Sequence, residues 1–140
     1  MNSRLDAKPA AKARVLGIDY GSKRIGVAVS DENRQFALPL IVVQNTRDLV
    51  EEIAKIALRH QAREIVLGES RNYKGEPNLI LTDSIDFKKK LEARGLVVHF
   101  EEEFMTSAQA ERLQGKNDKT DASAAALILQ SYLDRINAGK

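Results

Sequence analysis

At 140 residues the chain has the length of one domain, and with no cysteines it excludes disulfide frameworks and thiolate metal sites. Its two histidines, His60 and His99, argue against a histidine-rich zinc site, so any metal here is a hard one held by oxygen. A net charge of +2 leans only mildly toward polyanions, and without an ~18-residue apolar run or a secretory pattern at the start, the cytoplasm is the expected compartment, with no membrane contact.

Residues 1–13 carry no hydrophobic period and read as a flexible tail, which leaves 14–137 as the folded domain. Val15–Tyr20 and Ile25–Ser30 predict two strands joined by the short Gly-Ser-Lys-Arg stretch, hence a hairpin. Phe36–Val43 predicts a third strand, and Pro39 inside it places that strand at a sheet edge or at a bulge. Asn45, with Asp48 three residues on, has the pattern of a capping box before a helix whose apolar positions are Leu49, Ile53, Ile56 and Ala57. Glu64–Gly68 is a short buried strand, followed by the polar loop Glu-Ser-Arg-Asn-Tyr-Lys-Gly-Glu-Pro-Asn. A second helix is expected over Thr82–Arg94, with Ile85 and Leu91 facing inward and Gly95 as its stop. Leu96–Glu101 is the next strand. Thr106 and Gln109 form a second capping pattern for a helix to about Leu113, and the last helix runs over Thr120–Ile136. A meander followed by βα alternation predicts an α/β fold: a mixed sheet with an antiparallel hairpin start, helices on its faces, and later strands parallel through right-handed crossovers.

Carboxylates fall at element ends in three places. Asp19 ends the first strand, Glu101, Glu102 and Glu103 end the strand begun at Leu96, and Asp121 opens the last helix among small residues, Ala122 to Ala126. The ends of parallel strands on one sheet edge are where ligands usually sit. If the first strand runs alongside the glutamate-bearing one, Asp19 and a glutamate meet there, and the last helix brings Asp121 to the same spot. Three carboxylates about 5 Å apart repel by roughly 3 kcal/mol per pair at an effective dielectric of 20, a cost that divalent cations offset. Mg²⁺ or Mn²⁺ fits such oxygen ligands, and a pair of such ions clamps the attacking and leaving oxygens of a phosphodiester. Each acid also has an ordinary reading. Asp19 can pair with Lys23 or Arg24 in the turn, a glutamate run is usually a solvated face, and Asp121 favours a helix N-terminus through the dipole. His99, mid-strand, reads as packed or paired, and Lys88–Lys90 as the outer face of the second helix.

Three segments resemble the YqgF/RuvX family of RNase H-like and RuvC-like nucleases. Gly-Ile-Asp-Tyr-Gly-Ser-Lys-Arg-Ile-Gly-Val-Ala-Val-Ser-Asp (17–31) resembles its opening hairpin, Glu101–Arg112 its Asp-Glu-Arg-Leu-Thr-Ser segment, and Lys119–Leu133 its closing helix. The resemblance implies an RNase H-like fold. It implies metal-binding, catalytic acids at Asp19, Glu103 and Asp121, with Glu102 also a candidate ligand, and Mg²⁺ or Mn²⁺ as cofactor. It further implies phosphodiester hydrolysis in maturing the 5′ end of 16S ribosomal RNA, with precursor rRNA and ribosomal particles as partners. Branched DNA, cut as by a Holliday-junction resolvase, is the alternative substrate, and a non-catalytic RNA-binding assembly factor is a third reading. A monomer or a homodimer is compatible with these, and symmetric cutting of a junction favours the dimer. Lys23, Arg24, Arg71, Lys74, Lys116 and Lys119 are candidates to line the nucleic-acid path, and Gly17, Gly21 and Gly26 to let a sugar-phosphate strand approach the hairpin. Gly17 has an equal claim as a packing glycine. The chain departs from the family at Phe104, where an arginine is usual, and in the 69–78 loop, where Glu69 is an extra acid.

Overall fold

The computed structural model describes residues 13–69, 79–102 and 118–138, with the backbone alone at 69, 79–81, 102 and 118–120. Five strands, β1 (Arg14–Tyr20), β2 (Arg24–Ser30), β3 (Ala37–Gln44), β4 (Ala62–Glu69) and β5 (Val97–Glu102), and three helices, α1 (Leu49–Arg59), α2 (Leu79–Glu92) and α3 (Asp118–Ala138), make up the described residues. The strands form one sheet in the order β3-β2-β1-β4-β5. β1, β2 and β3 pair antiparallel, while β4 and β5 run parallel to β1, as the alternation of elements predicts. The expected 106–113 helix and nearly all of the 1–13 tail lie outside the described residues.

β1 is apolar on both sides because the sheet is covered on both faces. Its even-numbered residues, Leu16 and Ile18, join Ile25, Val27, Ile65 and Leu67 in a core closed by Ile53 of α1 and by Phe87 and Leu91 of α2. Its odd-numbered residues face α3, where Val15, Ala28 and Val66 pack against Ala125, Leu129 and Leu133. Of the two α2 positions expected to face inward, Leu91 is buried and Ile85 is not. Ile85 is 39% exposed, and Ser84, Phe87 and Leu91 are the buried positions, a ridge at i, i+3 and i+7. Gly95 ends that segment as expected, with φ +88 and its N–H on the Glu92 carbonyl.

β3 is an edge strand, as Pro39 requires, and its register with β2 shifts beside that proline, between Val27 and Ala28. The β2–β3 turn is held by Asp31, whose Oδ1 accepts the N–H groups of Gln35 (2.7 Å) and Phe36 (3.0 Å). Those backbone bonds hold the Asp31 carboxyl below its ordinary value. α3 is strapped to the same turn. Gln130 donates to the Gln35 carbonyl and accepts from the Ala37 N–H, and Asn137 donates to the Arg34 carbonyl. Beneath the helix, Glu64 pairs with Arg34 (2.7 Å) and His99 (3.0 Å), and the His99 ring stacks on Tyr132. His99 is therefore packed and paired, as its mid-strand place implies.

A carboxyl whose folded pKa is depressed stabilises the fold above its unfolded value of about 3.9 and loses that contribution as pH falls through the folded value. Urea midpoints of the wild type should fall on acidification below about pH 4 more steeply than those of Asp31→Asn, which carries no titrating group at the turn. Parallel curves would remove the turn carboxylate from the acid response.

Candidate metal and nucleic-acid site

The hairpin turn after Asp19 is tight and clamped. A Cβ on Gly21 would lie 2.5 Å from the Arg24 carbonyl oxygen. Asn45 donates its side-chain N–H to the Gly21 carbonyl (2.9 Å) and its backbone N–H to the Lys23 carbonyl (2.9 Å). This differs from the capping role its sequence position suggests: Asn45 is turned back onto the hairpin, and the N-cap of α1 is Asp48, which makes no side-chain cap. The effect is to fix the end of β1, and Asp19 with it, against the start of β2.

Asp19 pairs across the hairpin with Gly26, so the two share a face, and strand alternation after Val15 and Gly17 makes it the α3 face. On that face the first turn of α3 rests directly on Gly26. A Cβ there would fall 2.0 Å from the Asp121 carbonyl oxygen and 3.1 Å from the Ala122 nitrogen. At Gly17 a Cβ would meet Leu129 Cβ at 2.6 Å and the Ala125 carbonyl oxygen at 2.9 Å. Two of the three glycines are thus consumed by the packing of α3. The expectation that Gly17 and Gly26 admit a sugar-phosphate strand is corrected, because helix backbone fills the space above them; Gly21 stays half-buried in the turn. The small residues Ala122 to Ala126 explain how the helix comes so close.

Asp121, the fourth residue of α3, is 7% exposed. Its Oδ2 lies 2.8 Å from Arg24 Nε, yet accepts no aligned hydrogen bond among the described residues. Asp19 is half-buried and is itself engaged in a polar interaction. Two acids from opposite ends of the chain therefore border the same glycine, with Arg24 against one of them. Lys23 beside them is exposed.

The glutamate run is positioned differently from the simplest expectation. β4 lies between β1 and β5, so those strands are not neighbours and their axes stand about 10 Å apart. Gly68, itself buried, pairs with Glu101. Glu101 is buried and spoken for: it accepts from the Ser131 hydroxyl (3.1 Å) and pairs with Arg135, one turn on along α3. It is thus a tie between β5 and α3. The side chains of the two other glutamates expected as ligands, Glu102 and Glu103, like those of Arg71, Lys74, Lys116 and Lys119, lie outside the described residues, as does Phe104. Among the described residues, no three acidic or imidazole side chains form a complete cation cage. Ser131 and Arg135 stand at i, i+4 on α3, the spacing that lets both reach one carboxylate. Nothing in sequence signals the reach of Asn45 to Gly21.

The RuvX family profile, described as Holliday junction resolvase, matches residues 13–135. The chain belongs to this family. A relative from Sulfurihydrogenibium sp. is 34% identical over 134 residues, covering 89% of this chain and 92% of its own, and bears the name "Putative pre-16S rRNA nuclease". Relatives of the same name from Syntrophus aciditrophicus and Lactococcus lactis are 34% and 32% identical, covering 91% and 87% of this chain and 92% and 94% of their own. The solved RuvC of T. thermophilus in complex with a Holliday junction superposes with a TM-score of 0.54 at 15% identity, covering 89% of this chain and 96% of its own. The fowlpox virus Holliday junction resolvase gives 0.54 at 17%, covering 87% and 99%. At those identities the likeness establishes the fold, the RNase H-like architecture that this RuvX chain was expected to have.

Two substitutions test the site's construction. Gly26→Ala should cost about 2–3 kcal/mol in urea unfolding, because backbone of α3 rather than a flexible side chain must yield. Glu101→Gln should lower stability by about 1–2 kcal/mol while leaving Mn²⁺ affinity unchanged in calorimetric titration; loss of the ion would return Glu101 to the ligand set.

Proposed function

We propose that this RuvX protein is a divalent-metal-dependent endonuclease that hydrolyses phosphodiesters in maturing the 5′ end of pre-16S rRNA in the cytoplasm, acting on precursor rRNA or ribosomal particles. The observation that carries the reading is the meeting of Asp19 and Asp121 at Gly26. Membership of a nuclease family and the shared name of the relatives support the choice of reaction and substrate.

The described donor set fits a hard cation. It consists of carboxylate oxygens alone, and the buried Asp121 Oδ2 lacks an aligned donor, leaving a lone pair for a cation. Asp19 and Asp121 would hold the ions, with Glu103 or Glu102 as the third arm. Mg²⁺ or Mn²⁺, when bound, supplies an acidified water and charge neutralisation at the phosphoryl oxygens. The chain's own contribution is placement. The Asn45 clamp and the Gly26 contact fix the two aspartates on rigid elements, so no reorganisation is spent at the moment of reaction. Lys23, together with Arg71, Lys74, Lys116 and Lys119, contacts strand phosphates, giving affinity that is independent of base sequence and weakens with salt. The description of the family profile favours a second reading, a resolvase acting on branched DNA.

Purified protein with Mn²⁺ should cut a precursor 16S rRNA and leave a four-way DNA junction intact, and EDTA should abolish the cut. Asp19→Asn and Asp121→Asn should each lower the rate at least about a hundredfold. Cutting of the junction alone favours the resolvase. Neither substrate cut, with Mn²⁺ bound, identifies a non-catalytic assembly factor.

A further inference from the structure

We infer that Arg24 is a built-in placeholder cation: its guanidinium neutralises Asp121 while the metal site is unloaded and is displaced when a divalent cation binds. The inference rests on the metal-dependent reading above and extends it to a residue that this reading leaves without a role at the acids.

Three observations carry it. The first is position. Arg24 opens β2, two residues before the glycine on which Asp121 rests, so its contact with Asp121 is fixed by the hairpin itself. The second is geometry. Nε stands 2.8 Å from Asp121 Oδ2, a close ion-pair distance, but that oxygen accepts no aligned hydrogen bond among the described residues. An arginine built to orient a carboxylate presents its N–H groups along the oxygen lone pairs, usually two at once. At this oxygen charge is met by charge without an aligned bond, which leaves its lone pairs open to a metal. The third is exposure. The Asp121 carboxylate is 9% exposed and the Arg24 side chain 36%, so the acid is enclosed and the base borders solvent.

The physical need is plain. A nearly buried carboxylate left without a counter-charge carries a heavy desolvation cost, and Asp19 nearby adds like-charge repulsion. A cation supplied by the chain offsets both before the metal arrives. A Mg²⁺ ligand bond is about 2.0–2.1 Å long, and a guanidinium held 2.8 Å from the same oxygen occupies the space and repels the incoming charge. Metal and Arg24 therefore compete. The site tolerates low metal without unfolding, at the expense of some affinity. The competing account makes Arg24 a positioning residue that aims Asp121 at the metal, and it predicts the opposite sign.

Mn²⁺ affinity, read from the electron paramagnetic resonance signal of the free ion, separates the two without any nucleic acid. Arg24→Gln should bind Mn²⁺ about fivefold more tightly than wild type. Without metal it should melt at a lower temperature, and it should gain more on adding Mn²⁺. Arg24→Lys, which keeps the charge, should bind Mn²⁺ as wild type does. In an Asp121→Asn background, Arg24→Gln should bring no gain. As a check that needs no substitution, the Arg24 Nε–H resonance of wild type should move on Mg²⁺ titration. Unchanged or weaker Mn²⁺ binding by Arg24→Gln, or an Arg24 resonance indifferent to saturating Mg²⁺, overturns the placeholder. Wild type that binds no Mn²⁺ at all overturns the metal-dependent reading along with it.

Discussion

The close seating of α3 on two glycines of the hairpin is the constraint on which the rest of the structure depends. Strand and helix normally stand apart by the thickness of their side chains. Here Gly17 and Gly26 remove that thickness on one side, and the alanine-rich first half of α3 removes it on the other. The gain is close packing and a fixed position for the helix along the sheet. The consequence for chemistry is that Asp121 is delivered to the strand position paired with Asp19 by backbone contact, with no reliance on a long side chain. Two acids far apart in sequence are thereby brought to one point with little freedom in either.

Polar ties serve the same end. Glu101 fastens β5 to α3 through Ser131 and Arg135, and Glu64 gathers Arg34 and His99 under the same helix. Gln130 and Asn137 tie its outer side to the β2–β3 turn. Burial pushes the Tyr132 phenol up, and Glu64 adds to it, so the ring lies in this network as a neutral, packed group. α3 is thus held by apolar contact along its middle and by hydrogen bonds and ion pairs along its flanks. Its first turn, where Asp121 sits, is fixed by the glycine contact and faced by Arg24.

The opening hairpin and the edge position of β3 were legible in the residues because both follow from local rules: short loops make hairpins, and a proline cannot complete an inner ladder. The placing of β4 between β1 and β5 was not, since no local rule sets which parallel strands become neighbours. The meeting of Asp19 and Asp121 was legible because each stands at an element end. The glutamates could not be told apart, since Glu101, Glu102 and Glu103 are chemically alike and differ only in what the fold places opposite them. Asn45 illustrates the same boundary. Its local pattern is that of a helix cap, and the competing partner, the Gly21 carbonyl, becomes available only when β3 folds back along β2. Ile85 was misjudged for a related reason. The helical period locates a stripe, but Phe87 and Ser84 compete for the inward side, and only the tilt of α2 against the sheet decides between them. The glycines read as openings for a ligand because glycine marks close approach without saying of what.

Because Asp121 reaches the hairpin only through the docking of α3 on Gly26, a slight lift of the helix from the sheet separates the two aspartates without unfolding either element. Their spacing is thus a gauge of how well α3 is seated, and a change well along the helix, at the Gly17–Leu129 contact, is felt at Asp121.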